Sequence, residues 1–154
     1  MPFTPPAGYT SVGQTGYQSV LQIGTTASPP VYSSLLELKS FTIDGFSMTE
    51  LDLTHLLSPG NAQEFAPSQL RPGKISGNGN LVGDATQLSI VTNAQAKTTF
   101  PFKAIIPVQQ SAKTLTITGN GYFTAFKLGP FENAGVEQYS FEIQQTGSVS
   151  YVVA

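Results

Sequence analysis

The clearest signal in the chain is a period of two. In "TLTITGNGYFTAF", residues 114–126, Thr114, Thr116, Thr118 and Asn120 alternate with Leu115 and Ile117. In "EQYSFEIQQTG", Tyr139, Phe141 and Ile143 alternate with Gln138, Ser140, Glu142 and Gln144. Such alternation predicts strands with one dry and one wet face. No Pro falls between 108 and 129 or after 130, so both strands can sit in continuous ladders. Carried along the chain, the same parity puts Lys113 and Lys127 with Leu115 and Ile117, and puts Lys74 with Ser76, Asn78 and Asn80.

Weaker signals fill in the rest. "VLQIGTT" is a short strand, stopped by "SPP" at 28–30. Leu35 to Thr54 predicts two strands around the turn dipeptide Asp44-Gly45. The first has Phe41 and Ile43 on one face; the second sets Thr49, Leu51 and Leu53 against Glu50, Asp52 and Thr54. "KISGNGNLV", "TTFPFKAIIPV" and a last "SVSYVVA" are further strands, and "ISGNGN" echoes "ITGNGY" as shared local strand chemistry. One helix is expected at about 84–96, with Asp84 as its cap, Gln87 completing a capping box, and Ala85, Leu88 and Val91 on one face. Residues 55–73 hold three Pro and no sustained period, which predicts a long loop, and loops of that length usually have a task. Residues 1–19, with three Pro and three Gly, read as an extended arm. The expectation is an arm, then a single domain over 20–154: mainly β, an antiparallel sandwich or barrel-like unit with one helix.

Composition changes this picture in one respect. Only 10% of the 154 residues are charged, against roughly 25% in an ordinary domain. A surface so short of charge suits a molecule covered by other subunits. The net charge of −2 gives no general attraction to nucleic acid or an anionic membrane, and the absence of Cys removes thiolate chemistry. No apolar run is long enough to span a membrane.

Candidate chemistry is sparse. Asp52, His55 and Ser58 are spaced in a way that invites comparison with a catalytic triad, but a triad needs base, nucleophile and acid to meet beside an oxyanion site. His55 with Asp52 and Glu50 offers too few ligands for an ordinary metal site. "GNGNLVGDA" has the wrong glycine spacing for a phosphate loop. No catalytic residue, metal or cofactor is expected.

The stretch "LDLTHLLSPGNAQEFAPSQLRPGKISGNGN", residues 51–80, resembles the tail tube (major tail) proteins of long non-contractile-tailed, lambda-type phages. The features that carry the resemblance are the D-x-T turn leaving a strand, Ser-Pro-Gly, E-F-x-P, and Pro-Gly entering a Gly/Asn-rich strand. "ITGNGYFTAFKLGPFENAGVEQYSFEIQQTG" resembles the same family, and the similarity covers roughly 35–147. The resemblance implies a structural virion protein whose six-membered rings stack into the tube that conducts DNA. Its partners would be further copies of itself, tape-measure protein and tail-terminator or tail-tip proteins. It would be made in the host cytoplasm and end in the virion. Tubes of gene transfer agents, contractile injection systems and type VI secretion systems share that architecture.

For a conduit, a wall of hydroxyls and amides is preferable to one of lysines, because sixfold repetition of one Lys offers about six phosphate contacts. Thr114, Thr116, Thr118, Asn120, Gln138, Ser140, Glu142 and Gln144 are the candidates for the bore, although alternation alone does not separate inner wall from outer. Phe65, Leu70 and Arg71 of the loop are candidates for ring stacking, and Phe3, Tyr9 and Tyr17 of the arm for contacts with neighbours. A rival of another class is a carbohydrate- or receptor-binding β-sandwich, which would need its aromatics on an exposed platform.

Overall fold

The computed structural model describes residues 18–108 and 112–154. Seven strands form one antiparallel sheet in the order β2-β1-β7-β8-β9-β6-β3: β1 is Val20–Gly24, β2 Tyr32–Ser34, β3 Leu38–Ile43, β6 Lys74–Asn80, β7 Phe100–Val108, β8 Lys113–Leu128 and β9 Gln138–Val153. The remaining two, β4 (Phe46–Asp52) and β5 (Phe65–Pro72), pair only with each other.

The chain connectivity forces the large sheet to curl. Strands β2 and β3 stand at opposite edges, yet residues 35–37 alone join them. Four peptide steps reach at most about 14 Å, whereas six inter-strand spacings laid flat would need about 29 Å. The sheet therefore rolls into an open, barrel-like half-shell. It does not close: a cleft of ≈ 820 Å³ remains, lined by Leu38, Phe41 and Ile43 of β3 and by Ile106, Ile117 and Tyr151 opposite.

The concave face holds the core. Leu21, Ile23, Ile75, Phe100, Phe102, Ala104, Ile117, Phe123, Tyr139, Phe141 and Ile143 are buried there. Tyr139, Phe141 and Ile143 fall in the dry set, as their alternation predicts. Phe100 stacks on Phe123 at 4.7 Å, and Phe123 meets Phe141 edge-on at 6.2 Å.

The helix α1, Ala85–Ala96, covers one end of this face. Asp84 caps it, accepting from the N–H groups of Thr86 and Gln87. Two details differ from the sequence reading. Gln87 does not complete a capping box: its Oε1 accepts from Val82 and Gly83 N–H, and its Nε2 donates to Leu36 and Asn80 carbonyls. The buried face is Gln87 and Ile90, with Ala94 packed partly against the core, while Ala85 and Leu88 are exposed. A polar residue leads the inward face because all of its hydrogen-bonding capacity is used in tying the helix to the end of β6, to the turn that follows it and to Leu36 of the β2–β3 link.

Two strand predictions are corrected. Asp44-Gly45 is not a hairpin turn, since β3 pairs with β6 and β4 with β5. Residues 65–72, assigned to a long loop, form a strand, which leaves a connection of 53–64 that includes a 3-10 turn at Pro59–Asn61.

Candidate functional site

Two surfaces stand out: the convex polar face of the sheet, and the hairpin that leaves it. On the polar face, in-register pairs gather every residue proposed for the bore. Thr114, Thr116, Thr118 and Asn120 oppose Pro107, Ile105, Lys103 and Pro101 of β7. Gln138, Ser140, Glu142 and Gln144 oppose Asn80, Asn78, Ser76 and Lys74 of β6. Between the two groups, Tyr122 faces Gln144, Ala125 faces Glu142 and Lys127 faces Ser140. The eight residues share one continuous surface.

The same pairs overturn the placement of Lys127. Strand β8 bulges between Phe123 and Ala125, so Thr124 is an extra residue and the parity inverts beyond it. Lys127 therefore stands on the polar face, not with Leu115 and Ile117. Lys103 is also on this face, opposite Thr118. The polar face thus carries Lys103 and Lys127 as well as Lys74.

Two of the three lysines here have local partners. Lys74 Nζ donates to Glu142 Oε1 at 2.6 Å, and Thr124 Oγ1 donates to the same oxygen at 3.2 Å. The hydrogen bond to Glu142, then its charge, raises the Lys74 pKa above the ordinary lysine value; reciprocally, Lys74 holds Glu142 below the usual carboxylate range. Lys103 Nζ lies 4.3 Å from the centre of the Tyr32 ring.

Among the described residues, no layer packs over either face of the hairpin β4–β5 along most of its length. Pairing sets Phe46, Met48 and Asp52 beside Pro72, Leu70 and Phe65 on one side, and Ser47 and Leu51 beside Arg71 and Ala66 on the other. Phe46, Met48, Leu51, Phe65 and Leu70 are each 49–60% exposed. The stacking candidates Phe65 and Leu70 thus share a side, and Arg71 points the other way.

At the hairpin tip, Leu56 and Leu57 are 101% and 87% exposed. They are presented by an ordered turn. Hydrogen bonding from the Thr54 side chain, then from its N–H at 2.8 Å, holds the Asp52 carboxyl below the usual carboxylate range; Thr54 Oγ1 accepts from Glu64 N–H at 2.9 Å; and Ser58 Oγ donates to Glu64 Oε2 at 2.6 Å. His55 Nδ1 accepts from Leu57 N–H at 3.0 Å, and its Nε2 lies 3.7 Å from Glu64. Ser58 is thus bonded to Glu64, and Asp52 serves Thr54. These side chains build a turn, with no base–nucleophile contact between His55 and Ser58 among their hydrogen bonds.

The hairpin root is pinned by residues the sequence reading did not single out. Gln145, 1% exposed, donates to the Asp44 carbonyl at 2.9 Å, and its N–H donates to Gly73 O at 3.2 Å. Gln144 donates to Pro72 and Gly73 carbonyls. At Gly73 a Cβ would lie 2.4 Å from the Asp44 carbonyl oxygen, so only glycine allows the chains to cross here. Phe46 meets Tyr151 edge-on at 6.2 Å beside a small cleft lined by Leu70, Pro72 and Val149. A polar residue at a dry-parity position is the signal that could have marked Gln145; adjacent leucines beside a Pro-Gly turn could have marked the tip. Phe3, Tyr9 and Tyr17 lie outside the described residues. Among the described residues no group of three metal-ligating side chains occurs, and no helix is long and apolar enough to cross a membrane.

No family model matches the sequence, and no curated protein matches it. Solved structures do match in fold. A tail from an empty gene transfer agent particle, refined as a helical assembly with C6 symmetry, aligns over 91% of this chain and 99% of its own with a TM-score of 0.70 and 18% identity. The SPP1 tail tube aligns over 90% of this chain and 77% of its own, with a TM-score of 0.63 and 13% identity. The tube-terminating cap of the anti-feeding prophage aligns over 99% of this chain and 100% of its own, with a TM-score of 0.66 and 10% identity. The chain has the fold of these tube and tube-cap subunits.

Proposed function

We propose that this chain is a structural virion protein, the subunit of a hollow tail tube. Copies close into six-membered rings, rings stack, and DNA passes through the bore during ejection. The observation that carries the reading is the hairpin: a two-stranded ribbon with Phe46, Met48, Leu51, Phe65 and Leu70 half-exposed on its two sides and Leu56 and Leu57 at its tip. Isolated two-stranded ribbons are marginal in water, and contiguous exposed apolar surface marks an interaction site. In a stack, neighbouring subunits would cover it. The common fold with tube and cap subunits supports the same reading. The polar face, with its hydroxyls and amides, is the wall assigned to the bore, and the arm residues Phe3, Tyr9 and Tyr17 are assigned to neighbouring subunits. Tape-measure and terminator or tip proteins are the further partners, with assembly in the host cytoplasm. No catalytic step is assigned.

A second reading keeps the architecture and changes the machine. Tubes of extracellular contractile injection systems also share the fold, with a TM-score of 0.64 at 10% identity. A receptor-binding sandwich is the weaker reading: Tyr139 and Phe141 are buried in the core, and the exposed Phe46 and Phe65 belong to the hairpin assigned to stacking.

Negative-stain electron microscopy of the purified protein at rising concentration tests the proposal. Hollow rings or tubes are expected. A protein that stays monomeric at every concentration, with or without the other particle components, is incompatible with it.

A further inference from the structure

We infer that Lys127 is a phosphate-contacting residue for double-stranded DNA, carried onto the polar face by the Thr124 bulge and repeated around the ring. The inference rests on the tube reading and departs from a passive, cation-free bore.

Lys74, Lys103 and Lys127 share this face with Glu142 and with Glu37, whose carboxylate accepts from Asn80 at 3.3 Å, and the charge of Asp44 also acts on Lys74. Glu142 is engaged by Lys74 at 2.6 Å and Thr124 at 3.2 Å, and Lys103 rests on the Tyr32 ring. Lys127 is exposed and makes no ion pair with any described carboxylate. It borders a shallow cleft of ≈ 410 Å³ whose lining includes Ser40, Thr42, Ser76, Asn78, Ser140 and Glu142. An ammonium group beside hydroxyls, an amide and a carboxylate already engaged by Lys74 presents a donor to phosphate oxygens and offers nothing arranged to read bases. The fit is to a nucleic-acid backbone of any sequence.

Multiplicity decides whether this matters. One lysine per free subunit gives a contact that salt screens readily. Six in a ring give about six phosphate contacts, enough for affinity to fall by ~10³ or more between 50 and 200 mM salt. The grip would hold DNA loosely at low salt and release it readily at higher salt.

The test uses assembled tubes and a fluorescent linear duplex, with retention measured by sedimentation across a salt series. Wild-type tubes should retain the duplex at low salt and release it by about 200 mM. Lys127→Gln should bind at least tenfold more weakly with a flatter salt dependence, and Lys127→Arg should restore both. Lys113→Gln removes the same charge from the opposite face and should leave retention unchanged. A closed minicircle of equal length, which has no end to thread, should not be retained. Equal binding by wild type and Lys127→Gln, or equal losses from Lys113→Gln and Lys127→Gln, overturns the inference. Equal retention of minicircle and linear duplex puts Lys127 on the outer wall and overturns its placement. Microscopy of the same samples separates these outcomes from failure of the tube reading: if the wild-type protein forms no tubes, that reading falls and the inference falls with it.

Discussion

Gly77 lies beneath the Phe141 ring, where an added Cβ would come within 2.8 Å of Cζ and 3.0 Å of the Ser40 carbonyl oxygen. Gly121 stands in the same relation to Ile143, at 2.7 Å. This explains the echo between "ISGNGN" and "ITGNGY": in each, glycines face the core under bulky neighbours while Asn78 or Asn120 faces out. Gly77→Ala should destabilise the fold by about 1–3 kcal/mol, the usual cost of overpacking a core, measurable by urea denaturation. A second residue-scale prediction concerns pH. The depressed pKa of Glu142 means its contribution is present above the unfolded carboxylate value and lost as pH falls through the folded one. The raised pKa of Lys74 means its contribution is present below the unfolded lysine value and lost as pH rises through the folded one. Wild type should therefore exceed Glu142→Gln in stability at neutral pH by a small margin, because the pair is exposed, and the two profiles should converge in acid. Divergence that grows in acid would contradict the ion-pair account. Alternation gave the faces of β8 and β9 correctly up to residue 123, then failed at Lys127. The warning was present in the sequence: Phe123 and Phe126, both directed toward the core cluster, are three positions apart, and an odd step between core residues requires a bulge.

At the scale of elements, strands with clear periodicity or a capping residue were legible, and their partners were not. The span of β8 and the Asp84 cap follow from local chemistry. The β4–β5 pairing does not, because nothing local distinguishes Asp44-Gly45 as a tight turn from Asp44-Gly45 as a crossing point. Strand β5 was hidden by Pro67 and Pro72, which deny it ladder donors; it survives because it is one strand of a ribbon with a single partner. That ribbon carries the element-scale prediction. Leu56 and Leu57 make no core contact, and the turn that holds them is built from Asp52, Thr54, Ser58 and Glu64. The double variant Leu56→Asp/Leu57→Asp should leave subunit stability within about 0.5 kcal/mol of wild type while tube formation is lost, read by thermal unfolding beside microscopy. Unchanged tubes would mean the tip takes no part in stacking.

At the scale of the whole molecule, the chain divides its apolar residues between two tasks. One set, from Leu21 to Ile143, fills the half-shell and is sealed by α1. The other, on the hairpin, is left half in water: completing the burial of Phe46, Met48, Leu51, Phe65 and Leu70 would contribute on the order of 1 kcal/mol each, half the ~1.5–3 kcal/mol of a fully exposed side chain. Among the described residues, few contacts beyond Gln144, Gln145 and the Phe46–Tyr151 pair hold the hairpin to the body, so its free energy of opening should be low in a lone subunit. Hydrogen exchange turns this division into a measurement. In dilute protein, amides of β4 and β5 should exchange far faster than those of β7, β8 and β9. On assembly, the β4–β5 amides should slow by roughly 100-fold or more, as expected when a neighbour adds about 2.7 kcal/mol or more to the closed state, while the core strands change little. A hairpin already protected in the dilute subunit would mean its exposed side chains do not need a neighbour, and the physical case for stacking through it would fail.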